Sequence, residues 1–245
     1  MYGGRTPAQR HRDQRDRIIR AAISEFAVQG FRHTTVDHIV ATAGASRTTF
    51  YRFFDNREDC MSAALETTAE MILRAVSESI TTTEPEDDLL EAVVRGYVQA
   101  LVSDPDAARV LLIEAAGTST EVDRIRSRVR SEMAETLRAT WAGIDPKAIM
   151  SEEGRCMSIA LTGLLAEPMV HLLETERMDE AVSFVPALAN ALHRASRPRT
   201  KTTRHHGEIL DAALHHLARL GLVTTEFSEE NHPEDQITSS GSKTR

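Results

Sequence analysis

The segment HTTVDHIVATAGASRTTFYRFF, residues 33–54, contains two short helical patterns joined by a turn with a glycine. Thr35, or Thr34, is placed to cap the first helix, and Gly44 is placed to end it. Ser46 is placed to cap the second helix. The apolar residues of the first pattern recur at the spacing of one helix face: Val36, Ile39, Val40 and Ala43. This layout predicts a helix-turn-helix, a motif whose second helix enters the major groove of DNA.

Six of the eleven aromatic residues in the chain lie between residues 26 and 54, and four of these six are in the second pattern. Phe50 and Phe54 are four residues apart, so they share a helix face and are expected in the core. Tyr51 lies between two arginines, and an exposed tyrosine in such a position has little structural purpose. We therefore expect this helix to bury one face and to present the other to a partner. The spacing assigns Phe53 neither to the buried face nor to the face that meets a partner.

The residues before this segment predict a helix preceded by a basic arm. From about Asp16, apolar residues recur at helical spacing, and Gly30 is free to take the positive φ that ends a helix. Residues 1–15 contain two glycines, Pro7 and scattered charges without periodicity, so a mobile basic arm is expected there. Such an arm either follows a minor groove of DNA or only keeps the chain soluble.

Charge is distributed unevenly along the chain. Residues 1–57 contain ten arginines and five acidic residues, whereas the formal net charge of the whole chain is −8. The first 57 residues thus carry +5 and the remainder carries −13. A basic head on an acidic body is typical of a protein that meets phosphate at one end only.

Helical patterns continue beyond the head, and apolar residues never alternate at period two over a useful length. The sequence therefore predicts an all-α protein, with a three-helix helix-turn-helix head followed by a larger helical ligand-binding and dimerisation domain. The later helices are expected at about 57–80, 86–102, 105–115, 120–141, 146–175 and 178–196.

The predicted organisation has six parts. They are the arm (1–15), a helix-turn-helix domain (16–60), an effector-binding and dimerisation domain (61–197), a linker (198–207), an extra amphipathic helix (208–226) and a disordered tail (227–245). The sequence has no run of about 18 apolar residues, and its N-terminus lacks the apolar stretch of a secretory signal. These features predict a soluble cytoplasmic protein without a membrane partner.

From residue 18 to residue 65 the chain closely resembles the head of the TetR family of bacterial transcription regulators. The matching features are Ala21-Ala22, Phe26, Gly30, Thr34-Thr35-Val36, Ile39, Ala43-Gly44, Ser46, Thr49, Tyr51 and Phe54. The resemblance implies a homodimer whose two heads bind consecutive major grooves of a palindromic double-stranded operator. It also implies a small molecule that enters the C-terminal domain and releases the DNA.

The same resemblance assigns roles to side chains of the head. It places Arg47 and Thr48 at base edges, and it places Arg57 where the family usually has a lysine on phosphate. Their chemistry agrees, because arginine presents a planar fork to guanine and a threonine methyl group meets the methyl group of thymine. The candidate DNA-binding residues are Thr35, Ser46, Arg47, Thr48, Thr49, Tyr51, Arg52 and Arg57.

Two positions depart from the family pattern. His38 stands where the family often has Asp or Glu, so we expect a weaker helix cap unless Asp37 substitutes for it. Phe53 stands where a histidine is common, and it cannot make the contact that the histidine would make.

The body is expected to hold the dimer interface and an effector pocket. Helices 146–175 and 178–196 have wide apolar faces, which favour an intersubunit four-helix bundle or else an ordinary internal pair. A pocket lined by large apolar groups would suit an apolar effector, although Glu114 would favour a cation or a hydrogen-bonding ligand. The candidate lining residues, each of which could instead be core, are Met71, Tyr97, Leu101, Ile113, Trp141, Met157 and Leu161.

Part of the C-terminal region is similar in sequence to the first helix. Residues 209–225 align without gaps on residues 18–34. The similarity reflects either a remnant of a second head that stops after one helix or a chance likeness of amphipathic helices. We expect this helix to dock on the body or on a partner subunit, because its leucines would otherwise be exposed. The histidines near it do not form a metal-ligating set, and no metal or cofactor is expected.

An enzyme is not expected, because the sequence lacks GxSxG, HExxH, a glycine-rich phosphate loop and clustered carboxylates. The predicted function is that of a dimeric DNA-binding regulator, most often a repressor that an effector releases from its operator. The alternative is a non-enzymatic interaction protein whose TetR-like head binds DNA weakly or not at all.

Overall fold

The computed structural model describes residues 6–83, 89–141 and 152–196, together with the single positions 215 and 218. Within those ranges the chain forms helices and no strand, which confirms the predicted all-α class. The predicted linker, the predicted tail and the C-terminal helix apart from those two positions lie outside the described residues.

The first helix, α1, is longer than the sequence pattern predicted. It runs Pro7–Gln29, so the prediction of a mobile arm is wrong from residue 7 onward. Its start is a capping box, in which the Thr6 hydroxyl accepts a hydrogen bond from the Gln9 N–H at 3.2 Å, and Gln9 Oε1 accepts one from the Thr6 N–H at 2.8 Å. Pro7 follows at the first helical position, where its missing N–H costs nothing.

The head is completed by α2 (Val36–Ala43) and α3 (Arg47–Phe50). Gly44 ends α2 in the left-handed conformation, with φ of 58°, and so turns the chain toward α3. The completely buried side chains of the head include Phe26, Ile39 and Phe50, one from each of its three helices. The helix-turn-helix predicted from the spacing is present, and its core is small.

The body consists of the remaining helices. They are α4 (Arg57–Thr81), α5 (Leu89–Ser103), α6 (Pro105–Arg109) with a π-helical turn (Val110–Glu114), α7 (Thr120–Trp141), α8 (Glu152–Glu174), a 3-10 helix (Met178–Phe184) and α9 (Val185–Ser196). The helix predicted over 178–196 is therefore divided. Pro186 lies in the first turn of α9, where proline is tolerated, and the residues before it form the tighter 3-10 helix.

Helix α4 connects the head to the body, and α5 packs closely against it at Gly96. A Cβ atom on Gly96 would lie 2.7 Å from the Cα atom of Val76 and 2.8 Å from the carbonyl oxygen of Ala75. Glycine inside a helix costs about 1 kcal/mol relative to alanine. The close approach of the two backbones is the reason for a glycine here.

Helix α8 is more apolar than its burial in one chain explains. An 18-residue window of Gly154–Glu174 has a mean hydropathy of 1.5, yet 39% of that window is buried. Among the described residues this is the one helix long and apolar enough to cross a membrane, judged by length and composition only. Its exposed side chains include Met157, Ile159 and Leu164. Ile159 lies on the side of α8 that lines a cavity in the body, whereas Met157 and Leu164 share the other side, and an exposed apolar side of this kind indicates contact with a further surface.

Candidate nucleic-acid interface and effector cavity

The recognition helix α3 is one turn long, and its start is fixed by Ser46. The Ser46 hydroxyl accepts a hydrogen bond from the Thr49 N–H at 3.1 Å, and its oxygen lies 2.9 Å from the Thr49 hydroxyl. These two predicted site residues therefore hold each other in place at the N-terminus of α3. Because a single turn is unstable alone, this cap contributes to the orientation of the helix.

The aromatic cluster divides between the two faces of α3. Phe50 and Phe54 are buried as predicted, with ring centroids 5.5 Å apart. Tyr51 is 54% exposed, and Thr48 and Arg52 are also exposed on the outer side. Burial of the two phenylalanines thus directs the predicted contact residues outward.

Phe53, which the sequence left without a place, packs against the extension of α1. Its ring centroid lies 4.6 Å from that of His11. Arg15, one turn further along α1, lies over the Phe54 ring at 5.5 Å. Phe53 therefore holds the N-terminal turns of α1 beside the recognition helix.

Thr35 caps α2 together with His38. The Thr35 hydroxyl accepts a hydrogen bond from the His38 N–H at 3.2 Å, and His38 Nδ1 lies 3.4 Å from the Thr35 N–H. The histidine therefore takes the place of the acidic residue in a reciprocal capping box. Asp37 does not substitute for the acidic residue in this cap, because Asp37 has a different partner.

That partner is Arg47, the first residue of α3. Its Nε and Nη2 groups donate hydrogen bonds to the two carboxylate oxygens of Asp37. Both side chains are more than half exposed. The hydrogen bond from Arg47 holds the pKa of Asp37 below its ordinary value, so the pair is ionised on both sides at neutral pH. Arg47 is therefore exposed as predicted, but it is already oriented by a carboxylate.

Arg57 does not stand free on the surface. Its Nη1 group donates hydrogen bonds to the carbonyl oxygens of Phe31, at 3.2 Å, and of Thr34. Its guanidinium carbon lies 4.9 Å from the centroid of the Phe31 ring. Arg57 thus ties the first turn of α4 to the turn between α1 and α2, a structural role that the sequence analysis missed. A phosphate contact would use its remaining N–H groups.

The head meets the body at Gly30 and Phe31. Oε2 of Glu114 accepts a hydrogen bond from the Phe31 N–H at 3.3 Å, across the boundary between α1 and the π-helical turn. A Cβ atom on Gly30 would lie 3.2 Å from the same oxygen. Glu114 also lies 3.8 Å from Arg109 Nε. Its carboxylate therefore faces the head, and Glu114 lines the crevice between head and body.

A cavity of about 390 Å³ lies in the body between α4, α5, the π-helical turn, α7 and α8. Its apolar walls include Ile72, Leu73, Leu111, Leu112, Val129, Met133, Leu165 and Val170. Helix α7 supplies the polar groups of Arg126, Ser127, Arg130 and Ser131, and α8 supplies those of Thr162 and Glu167. A largely apolar cavity with a few polar groups is typical of a small-molecule site.

Tyr97 is the predicted pocket residue that lines this cavity. The others lie elsewhere: Leu101 and Leu161 are buried in the core, Met71 is partly buried against it, Ile113 faces the crevice between head and body, Met157 is 44% exposed, and the Trp141 side chain lies outside the described residues. Large apolar residues in a helical body are mostly core, so size alone did not identify the lining.

The polar lining was missed by the sequence analysis. Arg126 and Arg130 are four residues apart on α7, with Val129 and Met133 on the same side, and this spacing was a readable signal. Burial lowers the pKa of Arg126, and the neighbouring Arg130 lowers it further. Among the described residues no carboxylate lies within salt-bridge distance of Arg126. The cavity thus contains a partly buried cation without a bound counter-charge.

Comparisons with known proteins agree with this geometry. Residues 18–64 match the family of bacterial regulatory proteins named tetR. Over 68 residues the chain is 35% identical to the uncharacterized HTH-type transcriptional regulator YdgC of Bacillus subtilis (strain 168). That match covers 28% of this chain, and the chain spans about a third (34%) of the length of the curated relative.

Several solved structures have the same fold. The fatty acid degradation regulator FadR from Bacillus halodurans superimposes with a TM-score of 0.62 at 21% identity, over 72% of this chain and 96% of that one. FadR from Bacillus subtilis in complex with stearoyl-CoA gives 0.61 at 22% identity, over 72% and 96%. A TetR-like transcriptional regulator from Rhodococcus sp. RHA1 gives 0.56 at 17% identity, over 79% and 96%.

The described residues thus form a helix-turn-helix head followed by an all-α body. Over residues 18–64, the head is similar to the tetR family of bacterial regulatory proteins.

The substitution Arg57→Ala is expected to lower the free energy of unfolding by about 2 kcal/mol, measured by urea denaturation. Two carbonyl oxygens would lose their donor and the Phe31 ring would lose its cation, and each such loss costs roughly 0.5–3 kcal/mol. Arg52→Ala is the control, because Arg52 is exposed and its side chain has no hydrogen bond or ion pair within the described ranges. Equal stability of the two variants would contradict the structural role of Arg57.

Proposed function

We propose that this protein is a dimeric transcription regulator that binds a palindromic operator through α3, most readily as a repressor that a small molecule releases. The observation that carries the proposal is the division of α3 into two faces. Phe50 is fully buried, while Arg47, Thr48 and Tyr51 are exposed on the other side. A recognition helix needs this arrangement, because its contact residues must be held rigidly in the groove.

The apolar face of α8 supports the dimer. Met157 and Leu164, which are seven residues apart on one side of α8, are exposed in a single chain, and α8 is followed by the 3-10 helix, where Phe184 is exposed. A second copy in the cytoplasm would cover this face in an intersubunit helix bundle. Two heads in such a dimer would bind half-sites spaced by one turn of DNA, about 34–36 Å.

The cavity supports an effector with an apolar body and an anionic group. Arg126 lines it without a carboxylate partner within salt-bridge distance in the described residues, and burial of an unpaired charge is costly. Tyr97 also lines it, is 5% exposed, and its hydroxyl has no hydrogen bond to a described residue. Both groups would be satisfied by an anion. The stearoyl-CoA bound to FadR from Bacillus subtilis has this chemistry, whereas the sequence suggested an apolar effector or, through Glu114, a cation or a hydrogen-bonding ligand.

The π-helical turn supports a route from the cavity to the head. Leu111 and Leu112 line the cavity, and Glu114, two residues further, holds the Phe31 N–H of the head. A ligand that displaces the two leucines would therefore move the carboxylate that positions α1. In a dimer, such a shift changes the spacing of the two heads and hence the affinity for DNA.

The DNA-binding proposal predicts salt-sensitive, sequence-dependent binding of the full chain to a palindromic fragment from its own promoter region. The logarithm of the binding constant should fall steeply and linearly with the logarithm of salt concentration, because phosphate contacts release counterions. Electrophoretic mobility shift or fluorescence anisotropy measures both properties. Weak binding without sequence preference would instead support the interaction protein with a degenerate head.

The effector proposal predicts that the free protein binds laurate more tightly than dodecanol, which has the same chain without the charge. Arg126→Gln should weaken laurate binding about tenfold or more and leave dodecanol unchanged, because charge-assisted hydrogen bonds are worth roughly 1.5–3 kcal/mol. Calorimetry measures both affinities. Arg124→Gln is the matched control, since Arg124 pairs with Glu121 on the same helix and lies outside the cavity. Equal affinities for both probes would contradict an anionic ligand.

The coupling proposal predicts that Glu114→Ala keeps operator binding but loses most of its response to an effector such as laurate. Allosteric coupling of 5- to 150-fold is common, and the factor should fall toward one when the link to Phe31 is removed. The same variant should lose the reciprocal effect of operator DNA on laurate affinity. Glu121→Ala, a surface acid of α7, should behave as wild type. An unchanged response in Glu114→Ala would exclude this route.

A further inference from the structure

Asp37 and Arg47 form an exposed pair at the part of the head that faces the proposed operator. Asp37 lies in the first turn of α2, and Arg47 is the first residue of α3. The two carboxylate oxygens accept from Nε and Nη2 of the guanidinium. Such exposed pairs contribute little to folding stability. Folding stability therefore does not explain the pair.

The geometry leaves one edge of the guanidinium available. An arginine side chain has five N–H groups, and Asp37 engages the edge formed by Nε and Nη2. Both N–H groups of Nη1 and one of Nη2 stay free of Asp37. This remaining edge is a two-donor fork of the kind that pairs with the O6 and N7 atoms of guanine.

The geometry points to Asp37 as a positioning residue that fixes the Arg47 fork for a single guanine in each half-site, and this inference rests on the proposed DNA binding. A free arginine loses rotamer freedom when it binds a base, whereas the paired arginine has lost that freedom before binding. An oriented fork also tolerates the wrong base less well than a mobile one. Asp37 thus acts on specificity through Arg47 and does not touch the base.

The position of Asp37 is itself well determined. The capping box of Thr35 and His38 fixes the first turn of α2, and Ile39, two residues after Asp37, is fully buried. The carboxylate is therefore attached to a rigid element.

The charge of Asp37 has a second consequence. A carboxylate near the DNA backbone repels phosphate, so Asp37 lowers the affinity for every sequence alike. Its pairing with Arg47 raises the affinity only where a guanine meets the free edge. The combination favours discrimination at the expense of general affinity, which is how specificity is often obtained.

The test compares the full-length wild type with Asp37→Asn, Arg47→Ala and the double variant. Binding is measured on an operator selected by the wild type from random duplexes, and on its single-base substitutions. Arg47→Ala should lose the preference for guanine at one position per half-site. Asp37→Asn should reduce the affinity ratio between guanine and the other bases at that position about tenfold. It should bind non-specific DNA as tightly as wild type or more tightly. The double variant should match Arg47→Ala at that position.

A matched control separates this effect from a change of net charge. Asp55→Asn makes the same substitution at an exposed position of the head, and it should keep the wild-type preference. If Asp37→Asn keeps the preference, or weakens binding to all sequences equally as a damaged helix start would, the inference is wrong. If the wild type shows no base preference, the proposed function itself is refuted. That outcome is seen in the wild-type measurement, before any variant is compared.

A second measurement needs no DNA. Carboxylate titration by NMR in the free protein should give Asp37 a pKa below its ordinary value, and Arg47→Ala should raise it, because the hydrogen bond from Arg47 is the main cause of the lowering. His38 remains in place in both proteins, so its smaller effect cancels. A pKa of Asp37 that does not respond to Arg47→Ala would show that the pair does not form in solution.

Discussion

The burial of Phe50 is the contact on which the rest of the site depends. A helix of four residues is unstable by itself, because nucleation costs more than one turn of hydrogen bonds returns. Helix α3 therefore takes its orientation from the fully buried Phe50, from Phe54 beside it and from the Ser46 cap. Because one side of a single turn is held in the core, the other side is presented to solvent without further support. Any change that loosens this anchor would disorganise all exposed residues of α3 together.

The contact between head and body also depends on one short segment. The π-helical turn Val110–Glu114 contributes both to the cavity wall and to the hydrogen bond that Glu114 accepts from the Phe31 N–H. π-helical turns are rare and occur often at functional positions, since the wider turn shifts the following side chains. The proximity of cavity wall and head contact keeps the proposed signal short. Few residues would therefore separate a bound effector from α1, so the proposed coupling does not require a long network of contacts.

Much of the fold was predictable, because helical spacing and cap residues act locally. The α3 faces followed from the four-residue spacing of Phe50 and Phe54, and the limits of α7 from its periodicity. The start of α1 was missed although the residues of its capping box, Thr6, Pro7 and Gln9, are in the sequence. Residues 1–15 show no apolar periodicity, because the first turns of α1 are exposed and bury no apolar stripe. His38 was misjudged because a neutral imidazole nitrogen can accept the hydrogen bond usually taken by an acid.

The amino-acid sequence by itself determined most of the helices and the buried faces of the head, since each depends on neighbours within a few positions, and it carried the resemblance of the head to the tetR family. Tertiary structure alone decided which partners distant residues find. It paired Asp37 with Arg47, turned Arg57 inward to the carbonyl oxygens of Phe31 and Thr34, and directed Glu114 to the head. It also brought Arg126 and Tyr97 to one cavity. Those contacts depend on how helices pack, and no local pattern encodes the packing of helices that lie many residues apart.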